Sequence, residues 1–316
     1  MVVFHLGKIY FYLNNKMSLI SIIVNCYNGE KFLKESLDSI YNQTYQNWEI
    51  IFWDNASTDN SSQIAKSYDD RLKYFKSNIN TSIGRARYLA ITKAKGEYIC
   101  FLDSDDIFIS SKLEIQIQQM VRGNFLMSYG SSLIINEDGK ILKKFNVKNK
   151  SGYIFPNLLN YYEIQFQSIM IHRSLIDKQK IQFVENLIYT PDYDFCMKIS
   201  ATNKILVIKD ILIKYRKVKD SLSMKSLNLV YDENKYALDY LSKEFPSLKL
   251  KYSKYFSLAY SKLYFYQSIP YIYNNDYKLA IKCIKKIRWI KIHYFILYYL
   301  LLFNIPSKLI LKILNR

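Results

Sequence analysis

Three carboxylates stand within four positions at Leu102-Asp103-Ser104-Asp105-Asp106, directly after the apolar run Tyr98–Leu102. An apolar run that opens onto acidic residues predicts a buried strand whose end enters a polar cleft. Carboxylates this close repel one another unless a cation lies among them. Oxygen-only ligands suit a hard divalent ion such as Mg²⁺ or Mn²⁺, and such an ion usually keeps phosphates as further ligands. A solvated acidic turn is the competing reading of the same residues. Two more polar turns follow apolar runs in the same manner. Asn25-Cys26-Tyr27-Asn28-Gly29 ends the run Leu19–Val24, and Asp54-Asn55-Ala56-Ser57-Thr58-Asp59 ends Trp48–Trp53.

The intervening pattern says what must position these turns. Leu19–Val24 is nearly continuous in apolar residues, as expected of a strand buried on both faces of a parallel sheet. Phe32, Leu33, Leu37, Ile40 and Tyr41 then recur at helical spacing. A short helix near Ser61–Ser67, a strand at Leu72–Phe75 and a helix from about Ile83 to Ala94 continue the alternation. Strands about 25–30 residues apart imply βαβ units and a mostly parallel sheet, an α/β chain. In such sheets ligands bind beyond the carboxyl ends of the strands, so the three turns should share one crevice. Past residue 125 the pattern loosens. Leu133–Ile135 and Ile141–Phe145 flank the hairpin signal Asn136-Glu137-Asp138-Gly139-Lys140. Ser168–Ile171, Ile205–Val207 and Ile211–Ile213 read as short strands, and Tyr193–Ile199 as helix. From Tyr231 onward the spacing is helical. Tyr255 to Ile284 reads as a helical hairpin, whose second half loosely resembles a tetratricopeptide helix.

With 316 residues, half of them hydrophobic and 23% charged, the chain is globular, with room for one large domain and an appendage. Cys26, Cys100, Cys196 and Cys283 show no paired spacing and read as free thiols in a reducing compartment. His5, His172 and His293 are too few and too scattered for a zinc site. Residues 1–16 lack the features of a secretory leader, and either Met1 or Met17 is the start. The net charge of +18 is concentrated late: from Phe245 onward 13 Lys/Arg face one acidic residue, Asp276. Anionic lipid and nucleic acid are the partners that such charge suits. No nucleic-acid motif accompanies it, so the expected partner is an anionic membrane surface and not nucleic acid. Tyr294–Phe303 is an uninterrupted apolar run flanked by Arg288, Lys291, Lys308, Lys312 and Arg316. At ~1.5 Å per residue it covers about half of a ~30 Å hydrocarbon core, too little to span. It suits an interfacial helix, or a helix packed on the rest of the chain. A dinucleotide-dependent dehydrogenase is disfavoured, because the first strand opens onto Asn25–Glu30 without a GxGxxG.

The ordered set of segments resembles glycosyltransferase family 2. It comprises Ser21–Asn28, Gln43–Ile51, Asp54–Asp59, Gly84 with Ala86-Arg87, Ala94–Ile99 and Phe101–Asp106. The likeness is dense over residues 19–106 and thinner over 107–223. It implies a GT-A fold, a Rossmann-like sheet with flanking helices plus a carboxyl-terminal helical appendage. The implied division is an extension (1–16), a catalytic domain (17–223) and a basic helical region (224–316). Within the catalytic domain, 17–106 would bind the nucleotide sugar and 107–223 the acceptor.

The implied reaction is an inverting, metal-dependent transfer of one sugar from a nucleotide-diphosphate donor, most commonly a UDP-sugar. Asn25 and Tyr27 fall where the family contacts the base, and Asp54 where it meets base or ribose. Arg87 matches the arginine that steadies the nucleotide or its phosphates. Asp103 would bind ribose or a metal-bound water and, beside Asp105, would help hold the metal; Asp105 would ligate Mn²⁺ or Mg²⁺ directly, and Asp106 would support the loop. Ordinary turn chemistry, helix capping and a solvated helix face are the structural alternatives for these residues.

Downstream, Gln167–Ile171 and Phe183–Leu187 resemble the acceptor segment that leads to the general base. Asp192 takes that base position, with Pro191 where Glu is usual; Asp194 is the alternative base, and helix N-terminal charge the alternative role for Asp192. Tyr215-Arg216-Lys217-Val218, with Ser221 and Ser223, resembles a family segment in which Val218 replaces a frequent histidine. Asn55 likewise replaces a frequent aspartate. The expected acceptor is a glycan or lipid-linked glycan in capsule, O-antigen or lipooligosaccharide assembly. The enzyme would then work in the cytoplasm, peripheral to the inner face of the membrane. A catalytically silent domain that binds nucleotide or glycan as a scaffold is the alternative, suggested by Pro191 and Val218.

Overall fold

Every residue of strands β1 (Ile20–Cys26) and β2 (Trp48–Asp54) is buried, which explains their lack of apolar–polar alternation. Between them lies α1 (Glu30–Tyr41), and α2 (Ser61–Lys66), β3 (Leu72–Lys76), α3 (Ile83–Ile91) and β4 (Tyr98–Asp103) complete the alternation. The computed structural model describes residues 17–219, 226–287, 292–303, 305–307 and 309–310. β5 (Ile107–Phe108), α4 (Lys112–Gly123), β6 (Met127–Ile135), β7 (Ile141–Phe145) and α5 (Phe155–Asn160) come next. They are followed by β8 (Met170–His172), α6 (Ser174–Asp177), α7 (Pro191–Thr202) and β9 (Leu206–Arg216).

The described strands form one nine-stranded sheet in the order β3-β2-β1-β4-β8-β6-β9-β5, with β7 added to β6. Its first four strands are parallel. β8 then enters antiparallel to both β4 and β6, while β9 runs parallel to β6. Leu33, Leu37 and Ile40 turn the apolar stripe of α1 onto β1, β2 and β4, in a core that reaches Leu113, Ile117 and Met120 of α4. The hairpin predicted at Asn136–Lys140 joins β6 and β7, with Gly139 at φ 80°. The two short strands expected at Ile205–Val207 and Ile211–Ile213 are one strand. Its register against β6 slips between Ile208 and Ile211, leaving Lys209 and Asp210 exposed in a bulge. That bulge carries the Lys209 ammonium to the carbonyls of Val147 and Asn149 at 2.9 and 2.6 Å.

The chain divides into two compact units. The first holds the chain through Ile154, Glu163–Asn186 and Thr202–Val218; the second holds Phe155–Tyr162, Leu187–Ala201 and the chain from Lys219 on. The units are thus interleaved, whereas the sequence suggested a sequential division. The expected boundary at 223/224, Ser221, Ser223 and the extension 1–16 lie outside the described residues. α5 joins the second unit because the Phe155 ring packs against Phe256 and Tyr252 at 5.9 and 6.3 Å.

The rest of the second unit is α8 (Val230–Glu244), α9 (Pro246–Lys251), α10 (Ser253–Tyr273), α11 (Tyr277–Ile284) and α12 (Ile292–Leu302). α10 and α11 form the predicted helical hairpin. Asn275 takes the left-handed conformation in its turn, and the Asp276 carboxylate caps α11 through the Leu279 N–H at 3.1 Å. On α12, Leu297 and Leu301 are buried with Ile272, Ala280, Ile284 and Ile310, while Phe295, Ile296, Tyr299 and Leu302 face outward. Among the described residues no helix is long and apolar enough to cross a membrane.

Candidate active site

Strand register brings the three polar turns together in the first unit. Asn25 is level with Trp53 on one side and Asp103 on the other, and Cys26 is level with Asp54. The first two turns are then stitched to each other. The N–H groups of Asn28, Gly29 and Glu30 donate to Ser57 Oγ, Ser61 Oγ and Asp59 Oδ2 at 2.9–3.1 Å. In return Glu30 Oε2 accepts the Asn60 N–H at 3.0 Å, and Asn28 Oδ1 accepts the Thr58 N–H at 2.9 Å. α1 and α2 therefore cap one another, which satisfies amino-terminal donors that neither helix caps with its own Ncap side chain. Gly29 is required by close approach: a Cβ there would lie 2.8 Å from both Cys26 Sγ and Ser104 Oγ. The acidic loop therefore rests directly on the first turn.

Each residue expected at the donor side has a definite place. Tyr27 is half exposed, with its ring available for stacking. Asn25 is buried, and its Nδ2 has no hydrogen-bond partner within the described chain. Asp54 is fully buried. It accepts the Ser57 N–H at 2.7 Å and the Tyr74 hydroxyl at 2.5 Å, with the Lys76 ammonium 3.9 Å away. It therefore braces the turn it begins. Asn55, where the family often has Asp, donates Nδ2 to the Thr81 carbonyl at 2.8 Å and accepts the Thr81 hydroxyl at 2.9 Å. An amide suits this site because it must both donate and accept.

At the end of β4, Asp103 pairs with Arg87 at 3.2 Å through one oxygen and accepts the Gln167 amide through the other. Arg87 is buried and its guanidinium stacks on Phe166 at 4.1 Å, with Phe183 at 5.9 Å. The acceptor-like segments Gln167–Ile171 and Phe183–Leu187 thus supply walls around this pair. Asp106 is buried, accepts the Arg216 N–H at 2.7 Å through Oδ1, and leaves Oδ2 without a partner. Burial and the neighbouring Asp103 hold the Asp105 carboxyl up at about 6. Burial, Asp105 and Asp103 raise Asp106 well above the usual carboxylate range.

This crowding of carboxylates is what a divalent cation would relieve, so the residues fit a hard ion. Among the described residues no three acidic, histidine or cysteine side chains form a complete ligand set. An ion held by Asp105 would complete its shell with water and phosphate oxygens.

Arg216 is the residue that sequence reasoning underrated. Its Nε donates to the Asp105 carbonyl at 2.9 Å, and Nη1 to the Glu137 and Asn136 carbonyls at 2.9 and 3.3 Å. Its Nη2 pairs with Glu35 at 2.5 Å, and its guanidinium lies over Phe32 at 4.5 Å. It locks the acidic loop to β9, α1 and the β6–β7 hairpin. Only its place in the Tyr-Arg segment hinted at it. Tyr74, the partner of Asp54, carried no signal of its own, and Gln167, the partner of Asp103, was marked only as the first residue of the acceptor-like segment.

Asp192 and Asp194 belong to the second unit, in the first turn of α7, which Pro191 opens. Asp194 is buried and paired with Lys198 at 2.6 Å. Asp192 is half-buried and lines a cavity within that unit.

Against known proteins, Glycosyl transferase family 2 matches residues 21–178. The relative WfgD of Escherichia coli, a UDP-Glc:alpha-D-GlcNAc-diphosphoundecaprenol beta-1,3-glucosyltransferase, is 35% identical over 208 residues. That alignment covers 65% of this chain and 79% of WfgD. The chain belongs to glycosyltransferase family 2. An uncharacterized glycosyltransferase of Rickettsia bellii is 34% identical over 66% of this chain, and the match spans only 30% of that protein's length. Staphylococcus aureus TarS residues 1–349, solved with UDP-GlcNAc, superposes with a TM-score of 0.65 at 18% identity, covering 85% of this chain and 81% of TarS. The Pyrobaculum calidifontis mannosyltransferase PcManGT, solved with GDP-Man and Mn²⁺, gives 0.59 at 15% identity, covering 97% and 94%. These likenesses establish the GT-A fold.

Proposed function

We propose that this family 2 member is an inverting glycosyltransferase that moves one sugar from a UDP-linked donor to a glycan hydroxyl on a lipid carrier. The observation that carries the reading is the acidic loop. Arg87 and Gln167 occupy both oxygens of Asp103, and Arg216 pins Asp106 and the Asp105 carbonyl. We assign the Asp105 carboxylate, with Asp103 beside it, to hold Mn²⁺ or Mg²⁺; the second oxygen of Asp106 lies beside them without a hydrogen-bond partner. Bound there, the ion would neutralise charge gathering on the departing nucleoside diphosphate. Asn25 and Tyr27 bind and orient the base, with Asp54 holding their turn in shape, and Arg87 keeps Asp103 aimed.

Asp192 is the general base. It accepts the proton of the acceptor hydroxyl while that oxygen bonds to the anomeric carbon from the face opposite the leaving group. The bond from that carbon to the diphosphate oxygen breaks, and the electron pair leaves with the nucleoside diphosphate. What supports Asp192 over Asp194 is access: Asp194 is buried against Lys198, while Asp192 is half-buried and lines a cavity.

The activity of the relative WfgD, transfer to a diphosphoundecaprenol-linked sugar, supports a diphosphate-linked lipid acceptor, in the setting of bacterial surface-polysaccharide assembly. The outward apolar side chains of α12 and the basic residues around them in sequence support a peripheral place on the inner face of an anionic membrane.

The test is a panel of nucleotide sugars with Mn²⁺, measuring nucleoside diphosphate release with and without lipid-linked acceptors. No release from any donor would refute transfer. Asp192→Asn should lower turnover roughly 10²–10⁴-fold, the usual size of a general-base effect, with donor affinity retained. Pro191, in place of the usual Glu, motivates the second reading, a silent donor-binding scaffold. Tight donor binding by calorimetry without any turnover would establish that reading.

A further inference from the structure

Lys112 stands where a lysine is least expected. It is the first residue of α4, at the positive end of the helix dipole, and it is fully buried. Its Nζ donates to Gln116 Oε1 at 2.6 Å, one turn along the same helix, and to the Ile169 carbonyl at 3.3 Å. It also reaches Cys100 Sγ at 3.7 Å, and the Phe108 ring covers it at 4.3 Å. Gln116 carries the contact onward: its Nε2 donates to the Ser168 carbonyl and to Ser128 Oγ, both at 2.9 Å. All of these residues are buried.

The two carbonyls held in this way belong to one short stretch, the single turn Phe166–Ser168 and the residue after it. That stretch serves the donor site. Gln167 donates its amide to Asp103, and the Phe166 ring stacks on the Arg87 guanidinium, the same group that pairs with Asp103. Cys100 lies on β4, three positions before Asp103. Lys112 therefore ties the strand that ends in Asp103 to the turn that carries Gln167. A side chain needed only to fill this space would be served by methionine or leucine, which bury no amine. Three acceptors for the three N–H donors of an ammonium make a place built for lysine.

We propose that Lys112 is a positioning residue for the donor site, fixing Gln167 on Asp103 through Gln116 and the carbonyls of Ser168 and Ile169. The inference rests on the transferase reading, in which Asp103 helps to hold the donor and its metal. One oxygen of Asp103 meets Arg87 and the other meets Gln167, so two separate elements aim the carboxylate. When the turn drifts, the Gln167 amide leaves and Arg87 aims it alone.

The test uses the full chain. UDP affinity in the presence of Mn²⁺ is measured by calorimetry, and amide hydrogen exchange is followed by mass spectrometry without nucleotide. Lys112→Met keeps the length of the side chain and removes its donors. Exchange of the peptide spanning residues 166–170 should quicken by about tenfold or more, while peptides of α8 and α10 keep the wild-type rate. UDP affinity should fall about tenfold, the size of one hydrogen bond to a charged group. Gln167→Leu should cause a loss of the same size. Adding Lys112→Met to it should weaken binding by less than about twofold further, because residues that act through one contact are not additive. A residue that merely supports the fold would lower affinity by the same factor in both backgrounds, and that result would overturn the proposal. Wild-type UDP affinity in Lys112→Met, or unchanged exchange at 166–170, would overturn it as well. If Lys112→Met does not fold, Gln116→Leu removes the other half of the network and goes through the same cycle with the same expectations. A wild-type chain that binds no UDP counts against the transferase reading. Exchange alone then decides whether Lys112 anchors the turn, and an unchanged rate refutes the anchor.

Discussion

Replacing Arg216 with lysine tests whether the acidic loop is held in place from a distance. The guanidinium serves three carbonyls, those of Asp105, Asn136 and Glu137, besides the ion pair with Glu35. Lysine keeps the charge but has a single terminal ammonium and no donor at the Nε position, so it cannot serve the loop and the hairpin together. Two carbonyls lose their donors. At about 1–3 kcal/mol for each buried group left unsatisfied, the upper bound is ~6 kcal/mol, and relaxation with water at the hairpin side brings the expectation to about 2–3 kcal/mol. The Glu35 pair adds little, because its carboxylate is half exposed and the ammonium can still meet it. Urea unfolding followed by tryptophan fluorescence would read the loss as a lower midpoint with unchanged slope. The same protein should need a higher Mn²⁺ concentration for half-maximal turnover, since Asp105 would no longer be held by its own carbonyl. A loss below about 0.5 kcal/mol, the size of an ordinary surface change, with an unaltered Mn²⁺ requirement, would refute the argument.

Gly29→Ala places a methyl 2.8 Å from Cys26 Sγ and Ser104 Oγ; an overpacking cost of about 1–3 kcal/mol is expected. UDP affinity measured by calorimetry should fall with it, because the loop that moves is the acidic one. Glu233→Gln leaves one oxygen and turns an amide NH₂ toward the N–H groups of Ile188, Tyr189 and Thr190, which the carboxylate accepts. A loss of about 2–3 kcal/mol should appear as a lower thermal midpoint, and the near-ultraviolet dichroism of the Tyr162–Tyr193 ring pair should weaken. The Arg71 guanidinium beside Asp69, followed by the Tyr41 hydroxyl, holds that carboxyl down at about 2, below its ordinary 3.8. A depressed folded value contributes stability above pH 3.8 that disappears as pH falls through about 2. Urea midpoints between pH 4 and 2 should therefore fall less steeply in Asp69→Asn than in wild type, by a small margin because the pair is solvent-exposed.

Much of the donor half was legible in the order of residues. β1, β2 and β4 are buried on both faces, so burial alone makes their sequences continuous in apolar side chains. The turns that end them must be polar because they leave the core at one edge. Asp103, Asp105 and Asp106 were visible for that reason, and so was the helical hairpin, whose apolar positions repeat with helical spacing. Residues 205–213 were misread as two strands, since a bulge exposes Lys209 and Asp210 in the middle of one strand and interrupts its pattern. The interleaving of the two units was equally hidden, because α5 and α7 carry no local mark of the helices on which they pack.

By itself the sequence determined that three polar turns end buried strands and that a cluster of carboxylates ends β4, because local burial dictates residue type. Which groups govern those carboxylates was decided only by tertiary structure. Arg216 reaches Asp105 across 111 positions and Gln167 reaches Asp103 across 64, through a sheet order that no local pattern encodes. Hydrogen bonds of this kind depend on distance in space, and the chain records only distance along itself.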